Sequence, residues 1–362
     1  IWVTAAALMY VDSAASADNM AVVSFGGDGN EPNEDAVTQI ALKPVGPNRN
    51  SMRTAVKGVS IADPSVMTSI GDGLNNAQDQ LDTMANPENM PFIVLLSDGM
   101  ENEARYWSSD ATLRNRIKDA GTHVISIALG PSADQALMQD IADETDGYYY
   151  YVDLNPDNPS GKTGTPKESR ATLQAVENYP DLSYAVRLAD VYKLSNEFVN
   201  QQGRLWEDSG NRQAGEIYEG AFSLEEDINH AVFSVFWSNQ EAEMGVDLIR
   251  PNGSVVQNGD PGVTIFTSKN HIVYHIVELQ HGKWGVAMQP HADTDFIATL
   301  SGQPASGLQM RIRFVANQVT SLIREYDRDG KILFLRGLPM PIQATLVDKY
   351  GPVTNAGVVA QV

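Results

Sequence analysis

The chain of 362 residues contains no cysteine, which excludes disulfides, thiolate metal sites and a cysteine nucleophile, and fits a secreted bacterial or archaeal protein. Basic residues are scarce: Lys and Arg number 25 against 46 Asp and Glu, a formal charge of −21. Such a surface repels phosphate backbones, and no cluster of Lys and Arg interrupts it, which argues against a nucleic-acid partner. Long apolar runs are missing too. IWVTAAALMYV at positions 1–11 ends at Asp12, well short of the roughly 20 residues that span a bilayer. Although ASA at 15–17 resembles a signal-peptidase site, the run has no basic leader and reads as a buried helix. No HExxH, no GxSxG and no phosphate-binding glycine loop occurs, so no catalytic constellation emerges. Internal repeats and low-complexity tracts are absent as well.

With 42% hydrophobic and 20% charged residues, the chain is a folded acidic protein suited to a cation-rich extracellular setting. At roughly 150 residues per domain its length implies two or three domains. Residues 1–153 alternate strand and helix patterns, as in a doubly wound, Rossmann-like α/β sheet covered on both faces. Continuous apolar runs mark strands at Met20–Phe25, Val37–Lys43, Pro91–Ser97, Thr122–Gly130 and Tyr148–Val152. Apolar spacings of three and four predict helices at Ser51–Val59, Ile70–Met84, Asp110–Ala120 and Ala133–Glu144, with Gly121 and Gly147 as stops.

Residues 154–180, rich in Pro, Gly, Ser and charge, have the composition of an exposed linker. Leu182–Gln202 then reads as an amphipathic helix with Tyr184, Leu188, Val191, Leu194 and Phe198 along its stripe. From about residue 214 short alternating strands predict an antiparallel β-sandwich, with hairpin turns at PNG (251–253) and HGK (281–283) and MRIRFV as its last strand near residue 316. Residues 317–362, ending in PIQATLVDKYGPVTNAGVVAQV, supply too few strands for a domain and read as an incomplete immunoglobulin-like unit.

The chemistry-bearing signal is a pair of loops, TSIGDGL at 68–74 and FIVLLSDGMEN at 92–102. Asp98 follows an apolar strand at its carboxyl end, where open α/β sheets place ligand sites, and Gly99 lets the chain turn away. Thr68 and Ser69 precede a helix start and point a hydroxyl into the same crevice. A hydroxyl and a carboxylate are hard donors, suited to Mg²⁺, Ca²⁺ or Mn²⁺. Asp72 reads as a first-turn helix acid stabilised by the dipole rather than a ligand. Asp327, Asp329 and Gly330 in YDRDGKI mimic the beginning of a calcium loop but lack its later ligands, which leaves a hairpin turn. His271 and His275 share one strand face about 13 Å apart, too far for one metal, and read as sandwich surface.

The VVSF strand, the TSIGDGL loop, the LLSDG strand end, the VISIALG strand and Asp-Gly-Tyr-Tyr at 146–149 together resemble the von Willebrand factor type A domain. That family builds a metal-ion-dependent adhesion site from a DxSxS loop, a Thr on a second loop and an Asp on a third. Thr68 and Asp98 match the second and third. The first loop is missing, because the chain starts inside the helix that would follow it. The resemblance implies a metal site short of one Asp and two Ser hydroxyls, and a sheet without its middle strand between VVSF and FIVLLS. The expectation is a window from a longer polypeptide, or a strand supplied by a separate segment. The later half resembles the β-sheet-rich and fibronectin type III-like domains that follow the type A domain in the calcium-activated chloride channel regulator family.

These readings imply a non-enzymatic extracellular or cell-surface adhesion module in which a protein partner's acidic group completes the sphere of a Mg²⁺ or Ca²⁺ ion held by Thr68 and Asp98. Two other readings stay open at this point: a non-catalytic part of a secreted metalloprotease-like protein, and a self-associating surface-layer or filament subunit.

Overall fold

The computed structural model describes residues 2–27, 35–59, 67–84, 89–103, 105–154, 182–224 and 228–304, and beyond them the strand segments at 309–314, 325–326, 332–333, 342–348 and 351–352. The sequence motif at Asp327, Asp329 and Gly330 and nearly all of 154–180 lie outside the described residues.

The first part runs α1 (Trp2–Ser13), β1 (Asn19–Phe25), β2 (Ala36–Pro44), α2 (Val45–Gly58), α3 (Ile70–Leu81), β3 (Phe92–Ser97), α4 (Ala111–Asp119), β4 (His123–Leu129), α5 (Gln135–Glu144) and β5 (Tyr148–Val152). The apolar run at the amino-terminal end is therefore a helix, with Ala6, Met9 and Val11 buried. Helix α2 begins at Val45 rather than Ser51. Pro47 sits in its first turn, where a missing amide costs nothing. Asp110 and Asp134 cap α4 and α5 by accepting from the amides of Leu113 at 2.9 Å and Leu137 at 3.1 Å. After α5 the left-handed residue is Asp146 (φ 49°). Gly147 serves another purpose, since a Cβ there would lie 1.8 Å from the Val124 carbonyl oxygen.

β3, β4 and β5 form a parallel ladder, and β1 pairs antiparallel with β2 in a separate one. Among the described residues β1 and β3 each keep one edge without a partner strand. Helix α3 packs on both ladders. Phe25 from β1 joins the core of Ile70, Leu74, Ile93 and Leu95, and its ring lies so close to Gly73 that a Cβ there would approach it to 2.7 Å.

Helix α6 (Tyr184–Val199) follows, then β6 (Gly203–Arg212), β7 (Tyr218–Leu224), β8 (Ile228–Trp237), β9 (Gly245–Ile249), β10 (Val263–Thr267), β11 (His271–Leu279), β12 (Gly282–Gln289) and β13 (Thr294–Pro304). Sheets β10-β11-β8-β13-β6 and β7-β12-β9 enclose a core that includes Phe222, Phe233, Trp237, Tyr274, Trp284 and Phe296. Strand β6 escaped the sequence reading because GRLWEDSGNR is too polar to register; an edge strand tolerates that. The HGK segment is not a hairpin turn, because it carries the chain from β11 in one sheet to β12 in the other. PNG does make a tight turn, with Gly253 at φ 84° and Ile249 bridged to Val255. The remaining strands are β14 (Gln309–Phe314), β15 (Glu325–Tyr326), β16 (Ile332–Leu333), β17 (Ile342–Asp348) and β18 (Gly351–Pro352). MRIRF of that predicted strand lies in β14, which pairs with β17 instead of with the sandwich, and Val315 falls outside the described residues.

The two parts share one apolar cluster. Ala5, Ala6 and Met9 of α1, Ile125 and Ile127 of β4 and the apolar side of α6 meet Val232, Phe236, Val273 and Ile297 on the outer face of the five-stranded sheet. Strand β8 is thus covered on both faces, which accounts for its unbroken apolar run. Helix α6 departs from its expected amphipathic role, since Arg187, Asp190, Lys193, Asn196 and Glu197 on its polar side are buried too. Their environment is set by Arg204 of β6, which bonds Asp190 at 2.6 Å and Glu197 at 3.1 Å and also contacts Glu207. Arg204→Ala leaves those buried carboxylates without their hydrogen-bonded counter-charge and is expected to lower the unfolding free energy by roughly 3–5 kcal/mol in denaturant titration.

Candidate functional site

Thr68 and Asp98 lie on loops that converge at the carboxyl end of the parallel ladder. Ser69 N donates to Gly26 O and Met67 N to Gly27 O, both at 3.0 Å, so the Thr68 loop is laid against the end of β1. On its other side Thr68 N donates to Asn102 Oδ1 at 2.7 Å, and Thr68 O accepts from the amides of Asn102 at 3.1 Å and Glu103 at 3.3 Å. The Thr68 hydroxyl rests on Gly99, where a Cβ would come within 2.8 Å of its oxygen. Glycine at 99 is what permits this approach. Asp98, next to it, is exposed, and Thr68 is half-buried. A third loop joins them, as Asp134 N donates to Gly99 O at 3.3 Å.

Glu101 holds this edge together. Its carboxylate accepts from Gly71 N at 3.0 Å, in the first turn of α3, and from Trp107 N at 3.0 Å. Ser69, the residue at the N-cap, makes no capping bond with its side chain. Burial raises the Glu101 pKa and the charges of Asp134 and Asp72 raise it further, while the two backbone donors pull it down. Gly71 is a second obligatory glycine, because a Cβ there would stand 2.2 Å from the carbonyl oxygen of Arg105. Ser69 Oγ donates to Asp72 Oδ2 at 3.1 Å, and Arg105 faces Asp72 at 3.9 Å. Asp72 is therefore a buried first-turn acid with its own partners, and Ser69 is committed to it.

The donor chemistry of Thr68 and Asp98 fits a hard cation. In number they make only part of a shell, because such an ion takes about six oxygens. Among the described residues no group of three or more His, Asp or Glu side chains could hold a metal. Glu101 and Asn102 were passed over in the sequence although both stand in the SDGMEN motif. Their roles come from backbone amides that strand and helix patterns do not reveal.

His271 and His275 are not sandwich surface. They alternate with Val273 on the face of β11 that meets α1, and both are buried. His271 Nε2 bonds Asp12 Oδ2 at 2.8 Å and His275 Nε2 bonds Asp12 O at 2.7 Å.

Residues 6–158 match the family model of the von Willebrand factor type A domain. Among solved structures the chain is similar to a von Willebrand factor type A protein from Catenulispora acidiphila, at 12% identity and a TM-score of 0.39, over 97% of this chain and 59% of that one. It is also similar to the pilus adhesin SpaC from Lactobacillus rhamnosus GG, at 11% identity and a TM-score of 0.40, over 96% and 47%. Proximal thread matrix protein 1 from the mussel byssus, with a zinc-occupied MIDAS motif, matches at 19% identity and a TM-score of 0.35, over 54% and 40%. The chain thus spans about two fifths to three fifths of the lengths of these three structures. No curated protein matches it.

Glu101→Ala orphans two buried amides and is expected to cost about 1–3 kcal/mol, whereas Glu101→Gln keeps an acceptor and loses the raised carboxyl. Thermal melts of the two variants are expected to separate clearly, with the Gln protein near the parent.

Proposed function

We propose that this chain is an adhesion or protein-recognition module of the cell surface or extracellular space, and not an enzyme. The observation that carries the reading is the convergence of two loops, with the Thr68 hydroxyl seated on Gly99 beside the exposed Asp98, within the segment that matches the type A domain. In this reading Thr68 ligates a Mg²⁺ or Ca²⁺ ion directly and Asp98 does so directly or through water. Further oxygens, one of them from an acidic group of a protein partner, complete the shell. The bound ion supplies a positive centre on an otherwise acidic surface, where it offsets repulsion from the partner's carboxylate. The loops around it, with the exposed Met67, Met100 and Tyr106, choose the partner.

The β14-β17-β18 sheet begins a further immunoglobulin- or fibronectin type III-like unit in this reading, in an order resembling the channel regulator family.

Titration of the protein with Mn²⁺ alone tests the ion site. Asp98→Ala and Thr68→Val are each expected to weaken binding about tenfold or more, while unfolding free energy stays within about 1 kcal/mol, as for most surface substitutions. Divalent-dependent adhesion is expected to disappear in Asp98→Ala. Equal Mn²⁺ affinity in parent and both variants would remove the cation from the mechanism.

A further inference from the structure

The face of the five-stranded sheet that meets α1 and α6 carries a continuous array of polar groups, with Asp12 and His275 buried and His230 and Gln202 half-buried. Asp12 O is a carbonyl and can only accept, so His275 Nε2, 2.7 Å away, carries the hydrogen. His275 Nδ1 is then the acceptor, and it faces His230 Nε2 at 3.4 Å, which must donate. His230 Nδ1 accepts in turn from the Gln202 amide at 3.3 Å. The direction of every bond follows from that one carbonyl. With the bonds in this direction, both nitrogens of each ring are satisfied in its uncharged form.

The surroundings oppose a proton on this pair. Arg49 from α2 lies over Phe266 of β10, 4.4 Å from its ring centre, and Phe266 packs edge-on against His275. Lys193 of α6 is fully buried, and its Nζ has no hydrogen-bond partner among the described residues. Both cations act against a charge on His275, and Lys193 also acts against one on His230. Opposite charge is already engaged: Asp12 Oδ atoms are bonded to Arg53 and His271, Asp18 acts on Arg49, and Glu197 is bonded to Arg204. Lys57 of α2 adds a further positive charge near His271. Reversing the His230 tautomer and turning over the Gln202 amide could re-form the bonds around a protonated His275. The added cation would still be opposed by the charges of Arg49 and Lys193.

We propose that the array Gln202, His230, His275 and Asp12 is an acid-sensitive seam: on acidification it releases α1 from the five-stranded sheet and so frees the α/β part of the chain from the sandwich. Burial, with Arg49, His230 and Lys193 nearby, takes the pKa of His275 from 6.5 down to about 3, and burial with Lys193 lowers that of His230. Both groups thus bind protons more readily in the opened state than in the closed one. Their contribution to closure is complete above the ordinary imidazole pKa and drains away as pH falls below about 6.5.

Amide hydrogen exchange of the whole protein at about pH 7.5 and about pH 5, corrected for intrinsic rates, tests the seam. Protection in α1 and β11 is expected to fall about tenfold or more on acidification while β7, β9 and β12 on the far sheet keep theirs. A double substitution, His230→Gln with His275→Gln, is expected to hold protection nearly constant between the two conditions. A uniform loss over both sheets, no loss at all, or the same local loss in the double variant would overturn the proposal. Should that variant not fold, imidazole titration by NMR in the parent protein decides. Two rings that stay neutral until α1 loses protection support the seam, and reversible titration near pH 6.5 with α1 still protected overturns it.

Discussion

Helix α6 has almost no exposed side from Ala185 to Glu197. Its apolar residues close one face of the parallel ladder and the outer face of the sandwich at once, and its acidic residues Asp190 and Glu197 are turned onto Arg204. The chain's two architectures meet through this helix and α1, with no watery cleft needed between them. That explains why a helix with so many ionisable groups tolerates burial. The Arg204 guanidinium takes up two fully buried carboxylates in one geometry, and the surrounding apolar contacts supply the cohesion that an ion network alone does not give.

The candidate site depends on close approach in a different sense. Gly71 and Gly99 each occupy a place where a single methyl group would collide, one with a backbone carbonyl and the other with the Thr68 hydroxyl. The Glu101 carboxylate then ties the start of α3 to the loop after β3. The resulting edge is rigid around an exposed acid. Preorganised donors of this kind lose little freedom when a ligand arrives.

Sequence periodicity located the strands of the first part well, because residues buried on both faces leave unbroken apolar runs such as FIVLLS and VISIAL. It failed where burial is decided by a distant element. Polar β6 has strand character only beside β13, α6 hides a charged side that looks solvent-facing in isolation, and His271 and His275 turn towards a helix some 260 positions earlier in the chain. The convergence of the Thr68 and Asp98 loops was legible because one residue precedes a helix start and the other follows a buried strand with Gly99 after it. Glu101 was not, since its partners are amides rather than side chains and leave no trace in composition.

Thr68 occupies a junction between two ladders that share no strand pairing. One side of its loop is fastened to the end of β1, the other to the turn beyond β3, and α3 bridges the same gap from beneath. The β1-β2 pair and the parallel strands are joined here by loop bonds and a helix rather than by a ladder. Whatever sets the position of the β1-β2 pair relative to the parallel strands thus also sets where the Thr68 hydroxyl lies.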